Sequence, residues 1–240
     1  GLVWSPPHFT WMDTNYPACT PRVGYPVEIQ ALWIAALRYL GGKKWNALAD
    51  QATASLVRFF VRKDEVGGLY DCLDAPDGEP AAQATPDWGV RPNQLFAVSL
   101  GAFDALAPAR RQTLERAVVR ATARLVVPGG IRSLAADDAR YRGVYAGDED
   151  TARKPAYHNG TVWAWPFPLY AEALVKTRLA SKATARSLLA SAVENLNAGC
   201  VCHLSEIADG DAPHAQKGCR AQAWSVSELL RVWLALAPDR

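Results

Sequence analysis

The sequence predicts an all-α fold, a toroid of helices whose long loops gather at one end and build a site. Three observations predict it. Apolar residues recur at i, i+3 and i+4 in segment after segment. Gly and Pro punctuate the ends of these segments. The connections are either short or long, polar and aromatic, which is the pattern of functional loops carried on a helical scaffold.

Residues 1–26 hold five Pro and several aromatics and read as an ordered loop. Residues 27–40 then carry a helical stripe of Ile29, Leu32, Trp33, Ala36, Leu37 and Leu40, ended by Gly41-Gly42. The stripe resumes over 45–61 with Leu48, Ala52, Leu56, Phe59 and Phe60. Residues 62–91 are polar, with turn signals at Gly67-Gly68 and Pro76-Asp77-Gly78. A third helix is predicted over 93–106, and a fourth over 108–127 with Pro108 in its first turn. Residues 128–158 form a long loop containing Tyr141, Tyr145 and the acidic run Asp148-Glu149-Asp150. The fifth helix runs from 160 to 176, irregular at first because of Pro166 and Pro168. The sixth spans 183–197 and stops at Gly199. The seventh spans 221–236, with Val226, Leu229, Leu230, Trp233 and Leu234 on one face. Short apolar runs such as 200–204 are the places for small strands within loops.

Composition narrows the function. The 240 residues are half apolar, enough for one or two domains with a real core. Lys and Arg total 26 against 24 Asp and Glu, and the Arg residues are scattered along helical segments, so no basic stripe argues for nucleic acid. Every apolar run is broken by charge or Pro short of membrane-spanning length. Gly1-Leu2-Val3-Trp4 has no basic region of the kind that opens a secretory leader, and five Cys make a poor disulfide framework, so a reduced, cytoplasmic protein is expected. Nine Trp and eight Tyr supply flat apolar faces with a polar edge, suited both to packing and to stacking on sugar rings.

Three loop segments stand out: 8–13 and 157–166 combine a carboxylate, amide or His with aromatics, and 204–211 is rich in carboxylates. Glycoside hydrolysis needs aromatic planes to hold a ring and two carboxyl groups flanking the glycosidic oxygen, one acid and one base or nucleophile. A carboxyl beside an indole suits the acid, because an apolar wall disfavours its charged form; Asp13, two residues after Trp11, fits. Glu206, in a polar loop ahead of Asp209 and Asp211, fits the base. Cys200, Cys202, His203, His214 and Cys219 do not match paired zinc-ligand spacings, and Asp209-Gly210-Asp211 lacks the remaining ligands of a calcium loop, so neither a metal nor another cofactor is expected.

The stretch SPPHFTWMDTNYPACTPRVGYPVEIQALW at 5–33 closely resembles the C-terminal domain of glycogen-debranching enzymes, the amylo-α-1,6-glucosidase family. RPNQLFAVSL at 91–100, HNGTVWAWPFPLYAEAL at 158–174 and LSEIADGDAPHAQKGCRAQAWSVSELLRVW at 204–233 resemble further blocks of it in the same order. The resemblance implies an (α/α)6 barrel and an inverting hydrolase that removes α-1,6-linked glucose from branch points of a glucan. In it Asp13 protonates the leaving oxygen and Glu206 deprotonates the attacking water, about 6.5–9.5 Å apart. By motif position it offers Trp11, Tyr25, Glu28, His158, Asn159, Trp163 and Trp165 for binding the terminal glucose. One departure is Cys19, where a small Gly or Ala is expected, close enough to Asp13 to make thiol reagents informative. Seven helices against the barrel's twelve imply that residues 1–240 are the C-terminal portion of a single catalytic domain, completed by self-association or by a separate N-terminal half. The alternatives are a trehalase-like or glucoamylase-like α-glucosidase, and a truncated glucan-binding protein without activity.

Overall fold

The computed structural model describes residues 1–14 and 20–237, so Cys19 lies outside the described residues. Among them are eight α-helices and two antiparallel sheets, of three and five strands. The fold is therefore mixed α/β, which corrects the expectation of an all-α toroid. The strands are two or three residues long. An alternation of period two cannot be recognised in so short a run, and each strand lies among the Gly, Pro and polar residues that read as loop. The chain forms two compact units, residues 20–121 with 1–14, and residues 122–237.

In the first unit β1 (Gly24–Pro26) runs directly into α1 (Val27–Leu40), the helix predicted over the same residues. Helix α1 buries Ala31, Ile34 and Leu37 against α2 (Gly42–Phe60), which contributes Ala49, Ala52, Leu56 and Phe60. Burial of each large side chain is worth about 1.5–3 kcal/mol. Leu32 and Leu40, on the expected stripe, are instead exposed. Strand β1 pairs with β2 (Cys72–Asp74), and β2 with β3 (Thr85–Pro86), in register Tyr25 to Leu73 and Leu73 to Pro86. The helix expected over 93–106 is a 3-10 turn, Pro92–Gln94, followed by the short α3 (Leu95–Ser99). Bonds from Gly101 N–H to Val98 O and from Ala102 N–H to Ala97 O close it, while Phe103 remains in the core. Helix α4 (Pro108–Thr122) starts at Pro108 as predicted.

In the second unit five short strands form one meander in chain order: β4 (Val126–Val127), β5 (Gly130–Arg132), β6 (Val162–Trp163), β7 (Ile207–Ala208) and β8 (Gln216–Lys217). The expected fourth helix thus gives way to β4, where the β-branched Val126-Val127 favours an extended chain. The expected fifth helix is first strand β6; α6 (Phe167–Lys176) starts only after Pro166, with Pro168 in its first turn. The short α5 (Lys154–Tyr157) precedes β6. Helices α6, α7 (Lys182–Val193) and α8 (Ala223–Ala235) pack on one another. Residues 200–204 contribute only a bridge between Cys200 and His203. No helix among the described residues is long and apolar enough to cross a membrane.

Gly24 adopts φ +120°, and a Cβ there would run into the Leu73 carbonyl oxygen across the β1–β2 pair. Gly24→Ala is therefore expected to lower unfolding stability by about 1–3 kcal/mol. Urea unfolding reads the change, and an unaltered midpoint contradicts this account of the pair.

Candidate active site

Asp13 stands exposed at the end of the segment 8–13, so the described residues of its unit do not enclose it as a buried acid would be enclosed. The residues before it are held firmly. Thr10 Oγ1 accepts from the Met12 N–H (3.2 Å) and from Arg22 Nη1 (3.1 Å). Trp11, half-buried, donates its indole N–H to Asn93 Oδ1 at 2.7 Å. Met12 is fully buried, with its sulfur 3.6 Å from Asn93 Nδ2.

A buried ion cluster lies beneath this segment. Arg22 donates from Nε to Asp71 Oδ2 (2.8 Å) and from Nη2 to Glu28 Oε2 (2.6 Å), with a further bond from Nη1 to Glu28 Oε1. Asn93 Nδ2 donates to Asp71 Oδ1 at 2.8 Å, and Arg91 Nε lies 3.7 Å from Asp71 Oδ2. Arg22 holds φ +48°, a left-handed conformation that costs a non-glycine residue about 1–2 kcal/mol and that its paired guanidinium helps to retain. Burial pushes Asp71 up to about 6, opposed by the charges of Arg22 and Arg91. Burial also works against the Arg22 charge, but Asp71 and Glu28 outweigh it and hold that guanidinium firmly protonated. Glu28 is thus a core ion-pair partner, only 2 % exposed. Tyr25 donates its hydroxyl to the Glu79 carbonyl at 2.7 Å.

In the second unit the register of β6 against β7 places Trp163 opposite Ile207, next in chain to Glu206. Glu206 is half-buried and meets three donors. Tyr157 donates its hydroxyl to Oε1 (2.5 Å), Gln222 its amide to Oε1 (3.2 Å), and Cys219 its backbone N–H to Oε2 (2.9 Å). The last bond depends on Gly218, at φ +67°, where a Cβ would collide with Glu206 Oε2. An ionised carboxylate offers about four lone-pair sites, so these three donors leave one on Oε2 that can accept a proton from water.

Aromatic rings wall the same region. His158, 1 % exposed, stacks on Trp163 at 5.2 Å and 10°, and Tyr157 meets the edge of Trp163 at 5.1 Å. Trp163 donates its indole N–H to Thr161 Oγ1 (3.0 Å) and to the Tyr157 carbonyl (3.2 Å). Trp165 stacks on Trp224 at 5.0 Å, and Trp224 meets Trp163 edge-on. Asn159 is buried, and its amide donates to the Pro155 carbonyl at 3.0 Å. His158, Trp163 and Trp165 thus belong to one ring cluster that Tyr157 joins to Glu206, Asn159 is fixed on the Pro155 carbonyl, and Trp11, Tyr25 and Glu28 belong to the first unit.

Tyr157, Gln222, Asn93, Arg22 and Asp71 gain their roles only in the folded structure. Tyr157 and Gln222 lie in or beside the blocks around His158 and Glu206, and Asn93 lies within RPNQLFAVSL, so their neighbourhoods carried a signal. Asp71 sits in the polar stretch 62–91 and carried none. Among the described residues no group of three or more His, Cys, Asp or Glu side chains is arranged to hold a metal ion. Cys219 is exposed beside Glu206.

The family model described as Amylo-alpha-1,6-glucosidase matches residues 2–231, and the chain belongs to that family.

Asp71 yields a pH prediction. Its folded pKa of about 6 lies above the value of about 3.9 for an exposed Asp. Its protonation therefore favours the folded state, a contribution fully present below about pH 4 and lost as pH rises to about 6. The unfolding free energy of the wild type minus that of Asp71→Asn should fall over this window and then level. Urea unfolding at a series of pH values measures it, and a difference that rises with pH contradicts the assignment.

Proposed function

We propose that this member of the amylo-alpha-1,6-glucosidase family removes α-1,6-linked glucose from branched α-glucans by inversion. Asp13 is the acid that protonates the leaving oxygen, and Glu206 is the base that takes a proton from the attacking water. The observation that carries the reading is the setting of Glu206. Its carboxylate is held by the Tyr157 hydroxyl, the Gln222 amide and the Cys219 N–H, and keeps one lone-pair site for water. A carboxylate oriented in this way does not spend rotational freedom when it takes up the proton. The exposure of Asp13 suits a group that must reach an incoming glycosidic oxygen. Trp11 supplies an indole whose plane is fixed by its N–H bond to Asn93, two residues before the acid. His158, Trp163 and Trp165 act through the ring cluster that holds Tyr157 against Glu206, and Asn159 through its hold on the Pro155 carbonyl.

Glucose release from a branched limit dextrin, compared with linear maltooligosaccharides and trehalose, tests the substrate class. Preference for the branched substrate is expected, and preference for either of the others makes this a different α-glucosidase. Asp13→Asn and Glu206→Gln are each expected to lower kcat roughly 10²–10⁴-fold. An active chain on which both substitutions change nothing sinks the assignment. Tyr157→Phe keeps the ring contacts with Trp163 and loses the bond to Glu206, so kcat should fall roughly tenfold with KM nearly unchanged. A rise in KM at constant kcat would make Tyr157 a substrate contact instead.

A further inference from the structure

We infer that Asp71 is a positioning residue for the segment that carries the acid, and that it acts through Asn93 on the indole of Trp11. The inference rests on the glucosidase reading for its meaning in catalysis, and on donor and acceptor chemistry for its mechanism.

The side-chain amide of Asn has a donor end and an acceptor end and can be turned either way; what decides is its neighbours. An ionised carboxylate only accepts, and an indole only donates. Asp71 Oδ1 accepts from Asn93 Nδ2 at 2.8 Å, which turns Asn93 Oδ1 toward Trp11 Nε1 at 2.7 Å. The relay therefore runs in one direction, from the indole N–H to the amide oxygen and from the amide N–H to the carboxylate. Asp71 cannot rotate away, because its other oxygen accepts from Arg22 Nε at 2.8 Å. Water has little opportunity to substitute for the three residues beneath the indole: Asp71, Asn93 and Arg22 are 2, 1 and 4 % exposed. The same guanidinium reaches Thr10 Oγ1, so the residues on either side of Trp11 are tied to one base: Thr10 through Arg22, Met12 through its contact with Asn93. Asp13 follows directly. Asp71 thus orients the aromatic face and the last fixed residues before the acid without belonging to the reacting groups.

An amide at position 71 cannot serve both neighbours. If its oxygen faces Asn93, its NH₂ meets Arg22 Nε; if it faces Arg22, the NH₂ meets Asn93, whose amide must turn and present a donor to the Trp11 donor. Either way a buried donor faces a donor. Asn93→Ala breaks the relay while leaving the Arg22–Asp71 and Arg22–Glu28 pairs intact, so it reports even where Asp71→Asn fails to fold.

Two measurements decide. The first is the set of indole N–H signals in a ¹⁵N–¹H correlation spectrum, with that of Trp11 identified by its loss in Trp11→Phe. In Asn93→Ala the Trp11 signal should move upfield as its acceptor is lost, with the other indole signals in place, and a Trp11 signal that stays where it was in this variant overturns the relay. In a folded Asp71→Asn either the Trp11 signal or the Arg22 Nε–H signal should move, according to which way the new amide faces, and no movement of either overturns the role of Asp71. The second is a double-mutant cycle on glucose release. Asn93→Ala should lower kcat/KM roughly ten- to hundredfold in the wild-type background and no further in Trp11→Phe, which has no indole N–H to hold. Equal losses in both backgrounds overturn the positioning role. An unmutated chain that releases no glucose refutes the glucosidase reading instead, and the spectrum still judges the relay.

Discussion

Asp71 is a carboxylate with 2 % exposure, and taking such a group out of water costs several kcal/mol unless donors meet it. The first unit meets it from two directions. Arg22 reaches it from the chain just before β1, and Asn93 from the 3-10 turn that leads into α3. Those donors are themselves shared with Glu28 on α1, with Thr10 and with Trp11. Satisfying one buried acid therefore ties the short sheet, the start of α1 and the turn before α3 to the segment that ends in Asp13. Removing one partner would leave uncompensated charge in the core, so the cluster is held together by the cost of breaking it more than by the gain of forming it.

The second unit treats Glu206 by the same rule but stops short of full burial. Its three donors come from two stretches far apart in sequence: Tyr157 at the end of α5, and Cys219 in the turn after β8 with Gln222, the residue capping α8. The meander serves this convergence. Strand β6 carries Trp163 to the level of β7, Trp163 and His158 pack on the ring of Tyr157, and the departure from β8 at Gly218 turns the Cys219 N–H toward Glu206. One carboxylate is locked away as a structural anchor. The other is oriented by three donors yet left half-open to water, as the proposed base requires.

The helices were legible because burial on one face leaves a periodic trace over ten or more residues. Helix α1 occupies the predicted residues, and α2, α4 and α8 lie within a few of theirs. The trace runs past the helices at Pro166 and Ser99, since Pro and the Gly101 turn break the helical chain where hydrophobicity continues. The sheets left no trace. Their strands pair Tyr25 with Leu73 and Trp163 with Ile207 across long separations, and two or three residues cannot display an alternation. The site divides in the same way. His158 and Trp163 sit in a compact aromatic block, and Glu206 in a compact acidic one, so both draw attention locally. Asp71 is defined by partners 49 and 22 residues distant, so only three-dimensional proximity gives it meaning.

If Glu206 activates water on the face of the sugar opposite the leaving oxygen, the stereochemistry of the product is fixed by the direction of attack. The anomeric configuration of the first glucose released records that direction before mutarotation erases it. A ¹H NMR time course on a glucan bearing single α-1,6-linked glucose branches reads it directly. The account predicts that β-glucose accumulates first and the α anomer follows only by mutarotation. Initial release of α-glucose, or no release at all, would contradict it.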